Sequence, residues 1–251
     1  MSLASHLKEL RKRFVLAILG LVVGMVVAFL VTDSVIWFIT EPIRIIDEQR
    51  GGEFAELVFS GIATGFNLRI RIAFALGLLF SAPIWLWQIW AFVMPGLTRK
   101  EIKYTWGFLG AAIPLFFAGT YVAVMVAPHV IEVMSGFVPE AGKNFFDANY
   151  YYDFIFKFIL VIGVSFVLPV FMVALNLAGV VTGKAMLKSW RVAVLVASLF
   201  AAIATPAADI GSMLLLAGIL VVLYFAATFL SMLFDRRKRK RMVAEGLDPD
   251  A

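Results

Sequence analysis

From Phe14 to Val31 the chain carries no charged side chain, and the same is true of Tyr104–Ala127, Val192–Thr205 and Ile210–Phe234. Nothing else in the sequence restricts the fold as much. About 20 apolar residues wound as helix cross a hydrocarbon core of roughly 30 Å. Inside lipid, each backbone N–H and C=O must also find its partner within a helix or a closed barrel. Two further apolar segments, Leu68–Trp87 and Phe154–Val180, hold cations only near one end: Arg69 and Arg71 in the first, Lys157 in the second. The composition agrees, with 62% hydrophobic and 16% charged residues where a soluble domain carries about 25% charged. The pattern predicts an all-α, polytopic membrane protein with six transmembrane helices. They span approximately 14–31, 68–87, 104–127, 154–180, 192–205 and 210–234 of a single integral membrane domain, and a basic tail covers 235–251.

Charge orients these spans. Lys and Arg gather on the cytoplasmic side of a membrane. Of the 22 in the chain, sixteen fall in the N-terminal flank, the 99–103 turn, the 184–191 link and the tail, and six in the intervening loops and span ends. Both termini are therefore expected in the cytoplasm. A secretory signal is the other form a basic-then-apolar N-terminus can take. The first apolar run is longer than an ordinary signal core, however, and no small-x-small site precedes Thr32-Asp33. The pI near 9.5 reflects flanking bases at the membrane surface rather than a nucleic-acid site. The tail bases Arg236–Arg241 read as an anchor on the anionic leaflet. With no cysteine and with His6 and His129 far apart, neither a metal site nor a cofactor is expected.

Between the spans, residues 32–68 read as a long polar outer loop in which Pro42 suits a helix start and Phe54–Phe66 a surface helix. Arg69 and Arg71 are expected to snorkel toward head groups. Tyr150-Tyr151-Tyr152 reads as an interfacial belt. Val192–Thr205, as helix, is about 21 Å long, short of the hydrocarbon core, so the turn at Thr205–Asp209 should sink or the bilayer thin.

The stretch Ser81–Glu101 places Pro83, Trp85, Trp87, Gln88, Trp90 and Phe92 ahead of a Pro95-Gly96 turn, then two cations and Glu101. Acids divide opposite to bases: eleven of 17 lie in the outer segments. On the inner face ahead of the tail, Glu9 and Glu101 stand alone among cations. One reading makes them the binders of a cationic ligand. The other is structural: Glu9 is four residues before Arg13, the favourable helical pairing, and Thr98-x-x-Glu101 is a capping box. Gln88 and Asn176 suit helix–helix hydrogen bonds. Neither a nucleotide loop nor a Ser/His/Asp set is present, so the chain does not read as an enzyme.

The sequence resembles the twin-arginine protein translocase family TatC, the Sec-independent protein translocase family, from His6 to about Leu233. The motifs are His6-Leu-Lys-Glu-Leu-Arg-Lys-Arg13, Ser81-Ala-Pro-Ile, Gln88-Ile-Trp-Ala-Phe-Val-Met-Pro-Gly-Leu97 with Glu101, Gly163-Val-Ser-Phe-Val-Leu-Pro169 and Thr205-Pro-Ala-Ala-Asp209. The resemblance implies a receptor in the bacterial cytoplasmic membrane for Arg-Arg signal peptides of folded cargo. It would work in an oligomeric complex with TatA and TatB-type single-span subunits, driven by the proton-motive force. By position, Glu101 is implied as the main acidic contact, with Glu9, Phe92 and Arg11 in the same patch. Asp209 and Pro206 are implied in a region tied to the partner subunits, and Pro42 in the first outer loop. Pro83, Pro95 and Gln88 belong to the matching motifs. Two departures stand out: Val167 where the family often has a carboxylate, and Pro206-Ala-Ala-Asp209 in place of Pro-Pro-Asp. The competing class is a secondary transporter or channel for small solutes.

Overall fold

The computed structural model describes residues 3–52, 54–93, 99–139, 142–204 and 210–244, with the backbone alone for 3–5, 93, 99–106, 204 and 241. The elements are α1 (Leu3–Leu30), α2 (Thr32–Gln49), β1 (Ala55–Val58), α3 (Thr64–Phe80), α4 (Ala82–Val93) and α5 (Arg99–Gly136), then β2 (Asn144–Asp147), α6 (Ala148–Leu177), α7 (Gly183–Lys188), α8 (Trp190–Ala204) and α9 (Ile210–Ala244). Among the described residues four helices are long and apolar enough to cross a membrane, and a bent pair, α3 with α4, makes a fifth. The apolar helix α8, at 15 residues, falls below that length. Contacts divide the chain into one unit of 1–96 and 116–163 and another of 97–115 and 164–251.

In the first unit α1 lies against α3 and α4, and glycine permits the approach. A Cβ on Gly24 would sit 2.7 Å from the carbonyl oxygen of Gly77, and one on Gly77 would sit 2.7 Å from Met25. Further along, Gly20 faces Ile84. The pairings run in opposite chain directions, so α1 is antiparallel to α3–α4. Small residues at such crossings let backbones approach and gain dispersion contact where lipid gives no hydrophobic drive.

The second span, expected over 68–87, bends by 56° at Ser81. Pro83 lacks the N–H that would close on Leu79, which is the usual cause of a sharp kink. Near the break the indole of Trp85 donates to the Leu78 carbonyl at 2.9 Å. That bond restores a partner where the ladder opens.

The outer segment differs from the predicted loop. Residues 32–49 form α2, with Ile39, Ile43 and Ile46 buried. Pro42 stands inside this helix rather than at its start, because the Ile spacing gives a continuous apolar face that carries the helix past it. Residues 55–58 are a strand, not a surface helix, paired in parallel with β2 in the register Ala55 to Asn144. Asp47 organises the connection: its Oδ1 accepts the N–H groups of Phe54 and Ala55, each at 2.8 Å. Gly51 and Gly52, both at positive φ, supply the turn that brings the chain back to it. At the other end of the sheet Asp147 accepts from Ser60 at 2.6 Å and from the N–H groups of Asn149 and Tyr150. The Ser60 hydroxyl, with those backbone donors, holds its carboxyl below the usual range.

The outer cations gain partners, and the expected interfacial belt of three tyrosines is corrected. Arg69 and Arg71 form ion pairs, with Asp33 and Asp153 respectively, each at 2.6 Å. Only Tyr150 of the tyrosine trio is exposed; Tyr151 and Tyr152 are 5% and 1% exposed. Tyr151 donates to the Ile39 carbonyl at 2.6 Å, and Tyr152 shares a 2.7 Å hydrogen bond with Thr40. A buried phenol needs such a partner, and α2 supplies both.

In the second unit α8 and α7 lie against α9. A Cβ on Gly183 would sit 2.7 Å from Met232, so α7 begins directly on the α9 surface. Tyr224 of α9 donates to the Met186 carbonyl. Asp235, at the polar end of α9, accepts from Asn176 Nδ2 at 2.9 Å and from the Gly183 N–H at 2.7 Å. The amide of Asn176 thus joins α6 to α9, as its place in a span predicts.

Candidate functional site

The antiparallel seating of α1 decides which residues meet. From the Gly24–Gly77 crossing, α1 runs 18 residues back to His6 while α3–α4 runs forward to Phe92, about 27 Å along α1. At that end the imidazole of His6 stacks on the Phe92 ring, with centroids 4.4 Å apart and planes 26° apart. The two motif-bearing stretches, some 86 residues apart in sequence, therefore share one surface. His6 was legible as a motif residue; its contact with Phe92 was not, because nothing local links them.

Glu9 lies one helical turn beyond His6 on the same face of α1. Its Oε1 receives both Arg13 contacts, Nη2 at 2.6 Å and Nε at 3.1 Å. The pair is half-buried. The structural reading of Glu9 is thus realised, and both contacts fall on one oxygen, leaving the second carboxylate oxygen for a further donor. An i,i+4 pair of this kind contributes only ~0.3–0.5 kcal/mol, so a better-placed guanidinium can compete for the same group. Arg11, Lys8 and Lys12 are exposed, with Lys12 one turn on from Glu9 and Arg11 round the other side of α1.

On α4, Trp90 is buried and Phe92 half-buried, and the Trp85 ring meets Phe116 edge-on at 5.5 Å. Gln88 is half-buried, and among the described residues its amide makes no hydrogen bond. Pro83 sits in the first turn of α4, where a missing N–H costs least. Glu101 occupies the first turn of α5, but its side chain lies outside the described residues, as do Thr98 of the predicted capping box, Pro95, Pro206 and Asp209. Pro42 lies in α2, and Val167 is buried in α6. Among the described residues the site is a carboxylate with one oxygen unengaged, paired with Arg13 and set one helical turn from a stacked aromatic pair. Such a surface suits a planar cation that can both hydrogen-bond and stack.

A family model described as "Sec-independent protein translocase protein (TatC)" matches residues 5–218. Among curated relatives, the Sec-independent protein translocase protein TatC of Xylanimonas cellulosilytica is 40% identical, covering 96% of this chain and 87% of that protein. That of Deinococcus radiodurans is 33% identical over 92% and 86%. Among solved structures, one described as the crystal structure of the twin arginine translocase receptor TatC aligns with a TM-score of 0.79. It is 27% identical and covers 91% of this chain and 98% of that one.

Proposed function

The chain belongs to the TatC family of Sec-independent protein translocase proteins, and from that premise we propose that it is the receptor subunit that binds Arg-Arg signal peptides of folded cargo. It spans the bacterial cytoplasmic membrane six times with both termini inside, the bent α3–α4 pair and the short α8 each counting as one span. With TatA and TatB-type single-span partners, and the proton-motive force, it exports that cargo. It is a binding and transport component rather than an enzyme.

One observation carries the reading: the seating of Phe92 on His6, one turn from Glu9, which brings the two motif-bearing stretches together. Glu101 is the principal acid, Glu9 its assistant, Phe92 the stacking surface, and Arg11 a cation that sets the local field. An exposed Arg–carboxylate pair contributes only ~0.2–1 kcal/mol, whereas a desolvated charge-assisted hydrogen bond reaches about 1.5–3 kcal/mol. Selectivity for Arg over Lys then follows from the bidentate guanidinium fork.

A small-solute transporter needs polar ligands near the midplane. The cavity of about 390 Å³ between α2, α3, α5 and α6 is instead walled mainly by Ile, Val, Leu, Pro and Phe side chains. Photocrosslinking of an Arg-Arg signal peptide in membrane vesicles tests the reading. Glu101→Ala is expected to abolish the crosslink while the protein still inserts, and crosslinking at wild-type yield refutes it.

A further inference from the structure

We propose that the recess formed by Lys184, Leu187, Lys188, Trp190, Arg191 and Phe225 docks the phosphate head group and upper acyl chains of an anionic glycerophospholipid. The recess holds about 750 Å³. Lys184 and Lys188 are one turn apart on α7, so both ammonium groups project from one face. Arg191 adds a guanidinium whose carbon lies 5.7 Å from the Trp190 ring centre. All three cations are exposed, and among the described residues none is in an ion pair.

Asp235 is the one carboxylate of this unit whose side chain is described, and it leaves them unneutralised. Its Oδ1 takes the Asn176 amide and its Oδ2 the Gly183 N–H. The same bonds fix α7, together with the Thr182 side-chain cap on the Ala185 N–H and the Tyr224 bond to Met186. The backbone that carries Lys184 and Lys188 is therefore held in place before any ligand arrives.

The floor of the recess selects among anions. Leu187, Trp190 and Phe225 are exposed apolar side chains. Beyond them α8 presents Val192, Leu195, Val196 and Leu199, all exposed as well. A free phosphate or a nucleic acid would engage the cations alone; a lipid meets them with its phosphodiester while its acyl chains run on along the apolar face of α8 that starts at the recess. Basic recesses between helices on the cytoplasmic side hold anionic head groups in this way, with Trp at the same depth. The inference rests on the cytoplasmic placement of the 181–191 link but not on signal recognition, and loss of the Arg-Arg crosslink in another test leaves it untouched.

The full chain, purified in mild detergent, is titrated with phosphatidylglycerol and bound lipid counted by native mass spectrometry. Each cation near an anionic surface contributes roughly fivefold in affinity. The combined exchange Lys184→Gln, Lys188→Gln, Arg191→Gln is therefore expected to weaken retention by at least about tenfold. The tail exchange Arg236→Gln, Arg237→Gln, Lys238→Gln removes the same charge from the leaflet anchor but leaves the recess intact, so its loss should be at least about threefold smaller than that of the recess exchange, and phosphatidylcholine should bind at least about tenfold less tightly. Lys184→Arg with Lys188→Arg should retain the lipid, and single Gln exchanges carry the same reading if the triple variant does not fold. The proposal is overturned by equal loss in recess and tail variants, by no loss in the recess variant, by equal binding of phosphatidylcholine, or by displacement of the lipid with an equal concentration of glycerol 3-phosphate.

Discussion

Gly24 and Gly77 govern how near α1 comes to α3, and through that distance where His6 meets Phe92. Replacing a helical glycine by alanine ordinarily gains up to about 1 kcal/mol of helix propensity. At Gly24 the added methyl would meet the backbone of Gly77 at 2.7 Å, which cannot swing away as a side-chain tip can. Overpacking of this sort costs about 1–3 kcal/mol, so Gly24→Ala should lower the melting temperature of the detergent-solubilised protein. Gly110→Ala, where the methyl meets open space, should leave it level or raise it; the reverse ranking would contradict the packing. At this scale the sequence was unevenly legible. The Glu9–Arg13 pair followed from a spacing of four on one helix. Tyr151 and Tyr152 did not declare their burial, because their partners Ile39 and Thr40 lie 112 residues away.

Whole elements were legible where one solvent dictated them. An uncharged run of some 20 residues leaves lipid as the only fitting medium, so α1, α5, α6 and α9 could be anticipated from hydropathy. Helix α2 could not, since its Ile face alternates with Asp33, Glu41, Asp47 and Glu48 and Pro42 suggested a boundary. The strands β1 and β2, four residues each, carry too little pattern to announce a pairing between distant segments. The bend at Ser81 was hidden because Pro83 is ordinary in a membrane helix. Helix α8, with 15 residues, reaches about 22 Å against a core of about 30 Å. That shortfall should thin the surrounding bilayer during cargo passage. Inserting one helical turn into α8 is expected to reduce export of a folded reporter severalfold while Arg-Arg signal crosslinking persists; undiminished export would count against it.

Taken as a whole, the molecule exposes bulky apolar side chains along α1, α8 and α9, as a protein bathed in lipid does. Absence of cysteine makes its sidedness directly measurable. A cysteine at Gly51, in the turn after α2, should react with a membrane-impermeant maleimide on intact cells. One at Ser189, between α7 and α8, should react only after permeabilisation. Labelling of Ser189→Cys from outside would invert the topology and remove the inner-face site with it. Asp235 has a bearing on assembly as well. Its bonds reach back 52 and 59 residues to Gly183 and Asn176, so the α6–α7 connection stays unlatched until α9 leaves the ribosome. Closure of this half therefore waits for the far end of α9, and a nascent chain stopped short of Asp235 would hold its earlier helices without their clasp.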